Sequence, residues 1–224
     1  MRIMASVLTA DFARLGEQVR DLGDAGVDGI HWDLMDGKAV PGFSFGPPTI
    51  AACRPHTPVE FEAHIMVRDP GEDLLRQVSA AGCSMAMVHP EMLAAPWRTA
   101  EIIRDLGMRC GMALSPGVPL EQVRWLLPLL DRILIMTVEP GFGGQAYIAA
   151  MEEKVAETRR MLDGWPGACE IEVDGGIAPA TIAGTHRAGA SVFVVGSALW
   201  AAPTFRDAVS ALRAAVSDQD GQHD

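Results

Sequence analysis

DAGVDGIHWDLMDGK, residues 24–38, joins the end of a helical pattern to a strand, and its reading decides the fold. Upstream, Phe12, Leu15, Val19 and Leu22 recur at helical spacing. Gly26 stands where a helix C-terminus takes a left-handed residue. GIHWDLM (29–35) follows as a short apolar run that carries His31 and Asp33. Period-two alternation puts His31, Asp33 and Met35 on one face of that strand and Trp32 and Leu34 on the other. Asp36 and Gly37 belong to the turn beyond, so Asp36 reads as structural.

The same junction recurs. AAGCSM, DLGMRC and RAGASV place Gly82, Gly107 and Gly189 just before the next strand. Eight apolar runs can be counted: IMASVL (3–8), GIHWDLM (29–35), VEFEAHIMV (59–67), MAMVH (85–89), RCGMAL (109–114), RILIMTV (132–138), CEIEVD (169–174) and SVFVVG (191–196). Helical spacing lies between them, as at Met151, Val155 and Met161–Leu162. Strands alternating with helices through short connections predict a parallel sheet with helical crossovers. Eight such units in 224 residues predict an α/β fold of the (β/α)8 TIM-barrel type rather than an open sheet. No linker divides the chain, which reads as one barrel domain over 1–216 and a polar tail, SDQDGQHD, over 217–224.

The formal net charge of -11 argues against nucleic acid and anionic membranes as partners. No apolar run reaches the ~18–20 residues of a membrane span. The N-terminal segment lacks the pattern of a secretory signal, so a cytoplasmic protein is expected. Cys53, Cys83, Cys110 and Cys169 are widely spaced and read as reduced, buried thiols without chemistry.

Barrel active sites are built at the C-terminal ends of the strands. With Trp32 and Leu34 packed on helices, His31 and Asp33 point into the barrel near its mouth. His64 ends the third strand, His89 the fourth and Asp174 the seventh. A single polar residue at a strand end is ordinary. Several converging carboxylates and imidazoles are costly to desolvate without a function. His31, Asp33, His64 and Asp174 form a candidate set of ligands for one divalent metal, and mixed imidazole and carboxylate donors suit Zn, Fe(II), Co or Mn. Met35, Met66 and Met136 fall near strand ends and read either as core filler or as an apolar lining that excludes water.

Glycine-rich loops follow the last three strands: EPGFGGQ (139–145), DGGI (174–177) and VGSAL (195–199). Such loops let backbone N–H groups approach an anion, and loops after strands 7 and 8 form the common barrel phosphate site. An acidic chain can hold phosphate in this way without a basic patch.

These segments are similar, in order and over nearly the whole chain, to those of the ribulose-phosphate 3-epimerases. The matching pieces are ASVLTADFARLGEQV, HWDLMDG, VPGFSFGPP, AHIMV, MTVEPGFGGQ, IEVDGGI and VGSAL. The resemblance implies a ribulose-phosphate-binding barrel with one divalent metal on His31, Asp33, His64 and Asp174. It implies that Asp33 and Asp174 are the acid/base pair and that Ser6 and His64 contact substrate. Gly141, Phe142, Gly143, Gly144, Gly175, Gly176, Gly196 and Ser197 would surround the phosphate end. The implied reaction inverts C3 of a ketose phosphate, D-ribulose 5-phosphate to D-xylulose 5-phosphate. One carboxylate removes a proton beside the carbonyl, the metal stabilises the enediolate as a Lewis acid, and the second carboxylate returns a proton on the other face. A homo-oligomer is also implied.

The chain departs from the family pattern at Lys38, Ala39 and Gly42, and at Pro90, which is similar to the branch acting on allulose 6-phosphate. A 3-epimerase of that hexulose phosphate is the nearest alternative. A related decarboxylase or aldolase would carry an Asp-x-Lys-x-x-Asp motif, which is absent. A non-catalytic sugar-phosphate-binding barrel would be expected to lack the acid/base residues.

Overall fold

The computed structural model describes residues 1–220. Among them, eight parallel strands close a barrel in sequence order: β1 (Arg2–Ser6), β2 (Gly29–Met35), β3 (Glu60–Met66), β4 (Met85–Val88), β5 (Arg109–Leu114), β6 (Arg132–Met136), β7 (Glu170–Asp174) and β8 (Val192–Val195). Helices fill the crossovers: α1 (Leu15–Ala25), α2 (Pro47–Cys53), α3 (Glu72–Ala80), α4 (Pro96–Asp105), α5 (Glu121–Arg124), α6 (Met151–Asp163) and α7 (Ile182–Arg187). After β8 come α8 (Ser197–Trp200) and α9 (Phe205–Asp220). The expected polar tail from Ser217 falls partly on α9, and 221–224 lie outside the described residues. No helix of the described residues is long and apolar enough to cross a membrane.

The four expected helix-terminal glycines share one geometry. Gly26, Gly82, Gly107 and Gly189 have φ of 93°, 93°, 80° and 115°. In α1, Gly26 N–H donates to Gly23 O and Val27 N–H donates to Leu22 O, and the same pair of bonds closes α3, α4 and α7. Each glycine thereby satisfies carbonyls left open at a helix end, at a backbone angle that other residues rarely adopt. The start of the first helix differs from the spacing pattern. Phe12 lies in a 3-10 turn whose N-cap Asp11 accepts from Ala13 N–H, and the α-helix begins at Leu15. Phe12 packs edge-on against Phe45 instead of joining the buried face.

Alternation sorts the barrel as expected. Trp32 is fully buried outside the sheet and meets Phe45 and Phe61 edge-on at 5.3 and 5.2 Å. Truncating such a side chain costs about 3–5 kcal/mol. The inward face is mixed: Met4, Met85, Met87, Leu134, Val192 and Val194 are buried there beside charged residues. At the base of the barrel, Arg2, Glu60, Arg109 and Glu170, from strands 1, 3, 5 and 7, form ion pairs of alternating sign. Strand register sets the upper end: Ser6 lies beside His31, Asp33 beside His64, and Met136 beside Asp174. The four cysteines are free, with Cys53, Cys83 and Cys110 buried and Cys169 half-buried.

Candidate metal and proton-transfer site

His31, Asp33, His64 and Asp174 meet at the C-terminal end of the barrel. One donor atom from each lies within 4.8 Å of all the others. His31 Nε2 is 3.3 Å from both His64 Nδ1 and Asp33 Oδ1, and 3.8 Å from Asp174 Oδ2. His64 Nδ1 is 3.1 Å from Asp33 Oδ1 and 3.7 Å from Asp174 Oδ2. Ligands held ~2.1 Å from one ion stand roughly 3.0–3.4 Å apart in octahedral or tetrahedral arrangement. The separations among His31, His64 and Asp33 fall in this range and those to Asp174 exceed it by a few tenths of an ångström, so a small closing movement of Asp174 would let the mixed N and O donors hold one divalent ion. The imidazoles are fully buried, whereas Asp174 keeps 17% of its side chain exposed. The acids thus sit between the imidazole floor and the cavity.

The two carboxyl groups are electrostatically unlike. Burial alone would raise Asp33, but the His31 and His64 imidazoles outweigh it and hold the carboxyl well below the usual range. Ser6 Oγ donates to its Oδ2 at 2.8 Å. Asp174 is pushed up to about 7 by burial and by the Asp33 and Glu62 carboxylates, against the pull of His31. His64 is pushed down to about 4, by burial first and then by the neighbouring imidazoles. A bound dication would favour the ionised form of both acids.

A cavity of about 570 Å³, including its open mouth, lies over this cluster. Asp33, Asp174 and Ser6 reach it; His31 and His64 lie beneath. Met35, Met66 and Met136 line it, as do Gly141, Phe142, Gly143, Gly144, Gly175, Gly176, Gly196 and Ser197. Gly141, Gly144, Gly175 and Gly176 all have positive φ, so both loops turn sharply around the cavity. Gln145 Nε2 donates to Glu139 O and Phe142 O and staples the first loop.

The family departures lie outside the cavity lining. Asp36 Oδ1 accepts from Lys38 and Ala39 N–H, which confirms a turn role for Asp36 and leaves the Lys38 residue exposed. A Cβ on Gly42 would overlap the carbonyl oxygen of Gly141 and press on the Met35 sulfur, so a glycine lets these two loops pack backbone to backbone. Pro90 opens a buried 3-10 turn, Pro90–Met92, whose Met92 packs with Met35 and Met66.

Around the cluster stand His89, expected only as a strand-end histidine, and Glu62, Glu172 and Arg132, which the sequence reading did not single out. His89 Nε2 lies 2.8 Å from His64 Nε2, and its Nδ1 lies 3.0 Å from Glu91 Oε1. Below the cluster, His31 Nδ1 lies 2.7 Å from Glu62 Oε1. Glu62 and Glu172 both pair with the fully buried Arg132. Burial opposes ionisation of Glu62, but His31 and Arg132 bring it down to about 2. Burial and then the Glu62 charge raise Glu172 well above its ordinary value. The signal was available: Glu62 stands two before His64 and Glu172 two before Asp174, each on the same inward face.

Fold and site together define a (β/α)8-barrel enzyme with a histidine and aspartate cluster that could hold a cation under a glycine-looped cavity. The sequence model of the ribulose-phosphate 3 epimerase family matches residues 2–200, and the chain belongs to that family. It is 40% identical over 218 residues to a ribulose-phosphate 3-epimerase of Synechocystis, covering 94% of this chain and 92% of the relative. It is 37% identical over 219 residues to the chloroplastic ribulose-5-phosphate-3-epimerase of Arabidopsis thaliana, covering 95% and 76%. Among solved structures, a 3-hexulose-6-phosphate synthase superposes with a TM-score of 0.73 at 18% identity, covering 96% of this chain and all of that one, a likeness of fold alone.

Proposed function

We propose that this chain is a metal-dependent 3-epimerase that interconverts D-ribulose 5-phosphate and D-xylulose 5-phosphate. The observation that carries the reading is the pair Asp33 and Asp174, which reach one cavity from strands 2 and 7 and share one imidazole floor. His31 Nε2, His64 Nδ1, Asp33 and Asp174 would hold the ion, with Zn, Fe(II), Co or Mn suited to the donors. A bound divalent ion supplies Lewis-acid polarisation of the substrate's carbonyl. Asp33 takes the C3 proton from one face of the sugar, and Asp174 delivers a proton to the other. In the reverse direction the two exchange roles. A single base would return its proton to the face it came from, so inversion needs both.

Other side chains of the lining support this chemistry. Ser6 orients Asp33 through its hydrogen bond. Met35, Met66 and Met136 exclude water from the carbanion face. Backbone N–H groups of the 141–144, 175–176 and 196–197 loops suit the phosphate end. The pentulose reading is supported by the relatives' names and by the position of Lys38, Ala39, Gly42 and Pro90 outside the cavity lining. Free thiols suit a reducing compartment such as the cytoplasm.

The test is exchange of the C3 proton with solvent in D2O, followed by proton NMR on protein of measured metal content. Asp33→Asn should lower epimerisation by ~10²–10⁴ with metal still bound. Wild-type turnover in that variant would remove Asp33 as base. A clear preference for a hexulose phosphate in a substrate panel would overturn the pentulose assignment.

A further inference from the structure

The polar interior continues below the cluster. Arg132 has no exposed surface, and its Nη1 donates both to Glu62 Oε2 and, at 3.1 Å, to Glu172 Oε2. Its Nη2 donates to Glu170 Oε2 at 2.7 Å. Glu62 is therefore a fork: one oxygen faces the guanidinium and the other faces His31 Nδ1 at 2.7 Å. A guanidinium can only donate, so Glu62 Oε2 must accept from it. Glu62 Oε1 is then left to accept from His31 Nδ1–H. An imidazole with its proton on Nδ1 presents a lone pair on Nε2, the atom that faces Asp33, His64 and Asp174.

A second group of donor atoms, from His31, Glu62 and Glu172, also lies within 4.8 Å of one another. It has a cation already, the Arg132 side chain. Arg132 thus blocks the lower cluster while its partner Glu62 sets His31 for the upper one.

We propose that Glu62 and Arg132 are positioning residues for the cavity-floor cluster, with Arg132 acting through Glu62 to hold His31 with Nε2 ready to ligate. This rests on the reading of that cluster as a divalent-metal site. Glu62→Gln is informative because Arg132 would capture the new amide oxygen. The amide NH2 would then face His31 Nδ1 and demand that it accept, which puts the proton on Nε2 and spoils the ligand. Adding Arg132→Met frees the amide to turn, and the double variant removes one charge of each sign.

The experiment measures Zn(II) affinity by competition with a chromophoric chelator on the full chain, with thermal melting alongside. Glu62→Gln should bind Zn(II) 10–100-fold more weakly than wild type. Glu62→Gln/Arg132→Met should bind more tightly than Glu62→Gln alone, a recovery that loss of packing would not produce. Wild-type affinity in Glu62→Gln, or no recovery in the double variant, overturns the proposal. Should Glu62→Gln fail to melt cooperatively, nitrogen NMR of the Zn(II)-loaded wild type decides. His31 must then show a slowly exchanging Nδ1–H, and its absence overturns the proposal. If wild type takes up no Zn(II), Co(II), Mn(II) or Fe(II), the metal reading itself falls and this proposal falls with it.

Discussion

His64 Nε2 lies 2.8 Å from His89 Nε2, with the two rings stacked 5.0 Å apart. One proton must lie between these nitrogens. His64 Nδ1 faces Asp33 and Asp174, and it can ligate only if its proton sits on Nε2. With a metal on His64 Nδ1, as proposed above, His64 donates and His89 accepts. His89 then carries its proton on Nδ1 and donates to Glu91 Oε1, which also accepts from Ser115 Oγ.

His89→Phe should therefore leave a buried N–H of His64 without its acceptor. The expected result is a metal affinity lowered about tenfold or more, with a parallel loss of kcat. His89→Gln, whose amide oxygen can accept, should keep most of both. Chelator competition on the three proteins checks this. Equal affinity in His89→Phe and wild type would mean that His64 does not ligate through Nδ1.

Gly42 meets the carbonyl of Gly141 with no room for a Cβ. Gly42→Asn should force the 36–43 turn away from the 139–145 loop. The expected cost is about 1–3 kcal/mol of stability, as for other overpacked contacts. KM should rise because Gly141 lines the cavity. Thermal melting and steady-state kinetics test both halves, and a Gly42→Asn protein with unchanged Tm and KM would show that the two loops separate freely.

What the sequence disclosed and what it withheld follow from the period of each pattern. The barrel was legible because helix-ending glycines and strand alternation are local signals, and Gly26, Gly82, Gly107 and Gly189 repeat one motif. His31 and Asp33 were legible because they interrupt an apolar run. Arg132 was not, since a charge at the start of a strand reads as its solvated end. Only closure of the ring shows that Glu62 and Glu172, from strands 3 and 7, meet it inside. His89 was legible as a strand-end histidine, but its task depends on which nitrogen of His64 it meets.

The two-acid arrangement makes a distinction that loss of activity alone cannot. Asp33→Asn and Asp174→Asn should each slow interconversion by ~10²–10⁴. Each should still allow the surviving carboxylate to exchange C3–H of one epimer with solvent without inversion. The two variants should therefore wash deuterium into opposite epimers when each is incubated separately with ribulose 5-phosphate and xylulose 5-phosphate. Proton NMR reads this directly. If both variants exchange the same epimer, the acids do not address opposite faces.

Cys83 and Cys110 give a stability prediction whose sign is fixed. Burial pushes each thiol up to about 12, with nearby charges adding smaller effects. In the unfolded chain a thiol ionises near ~8.5. Between these values the folded state holds more protons than the unfolded state, so stability falls as pH rises. The contribution is fully present below the unfolded value and is lost as pH climbs through about 9 to the folded value of about 12. The slope is about 1.4 kcal/mol per pH unit for each thiol, against a total stability of about 5–15 kcal/mol. Cys83→Ala/Cys110→Ala should be somewhat less stable at pH 7, because two buried side chains are shortened. It should lose stability less steeply above pH ~9 than wild type does. Urea unfolding at several pH values provides the two slopes, and their difference cancels the lysines and Tyr147, which both proteins share. Parallel slopes would mean that the two thiols ionise in the folded chain as readily as in the unfolded one.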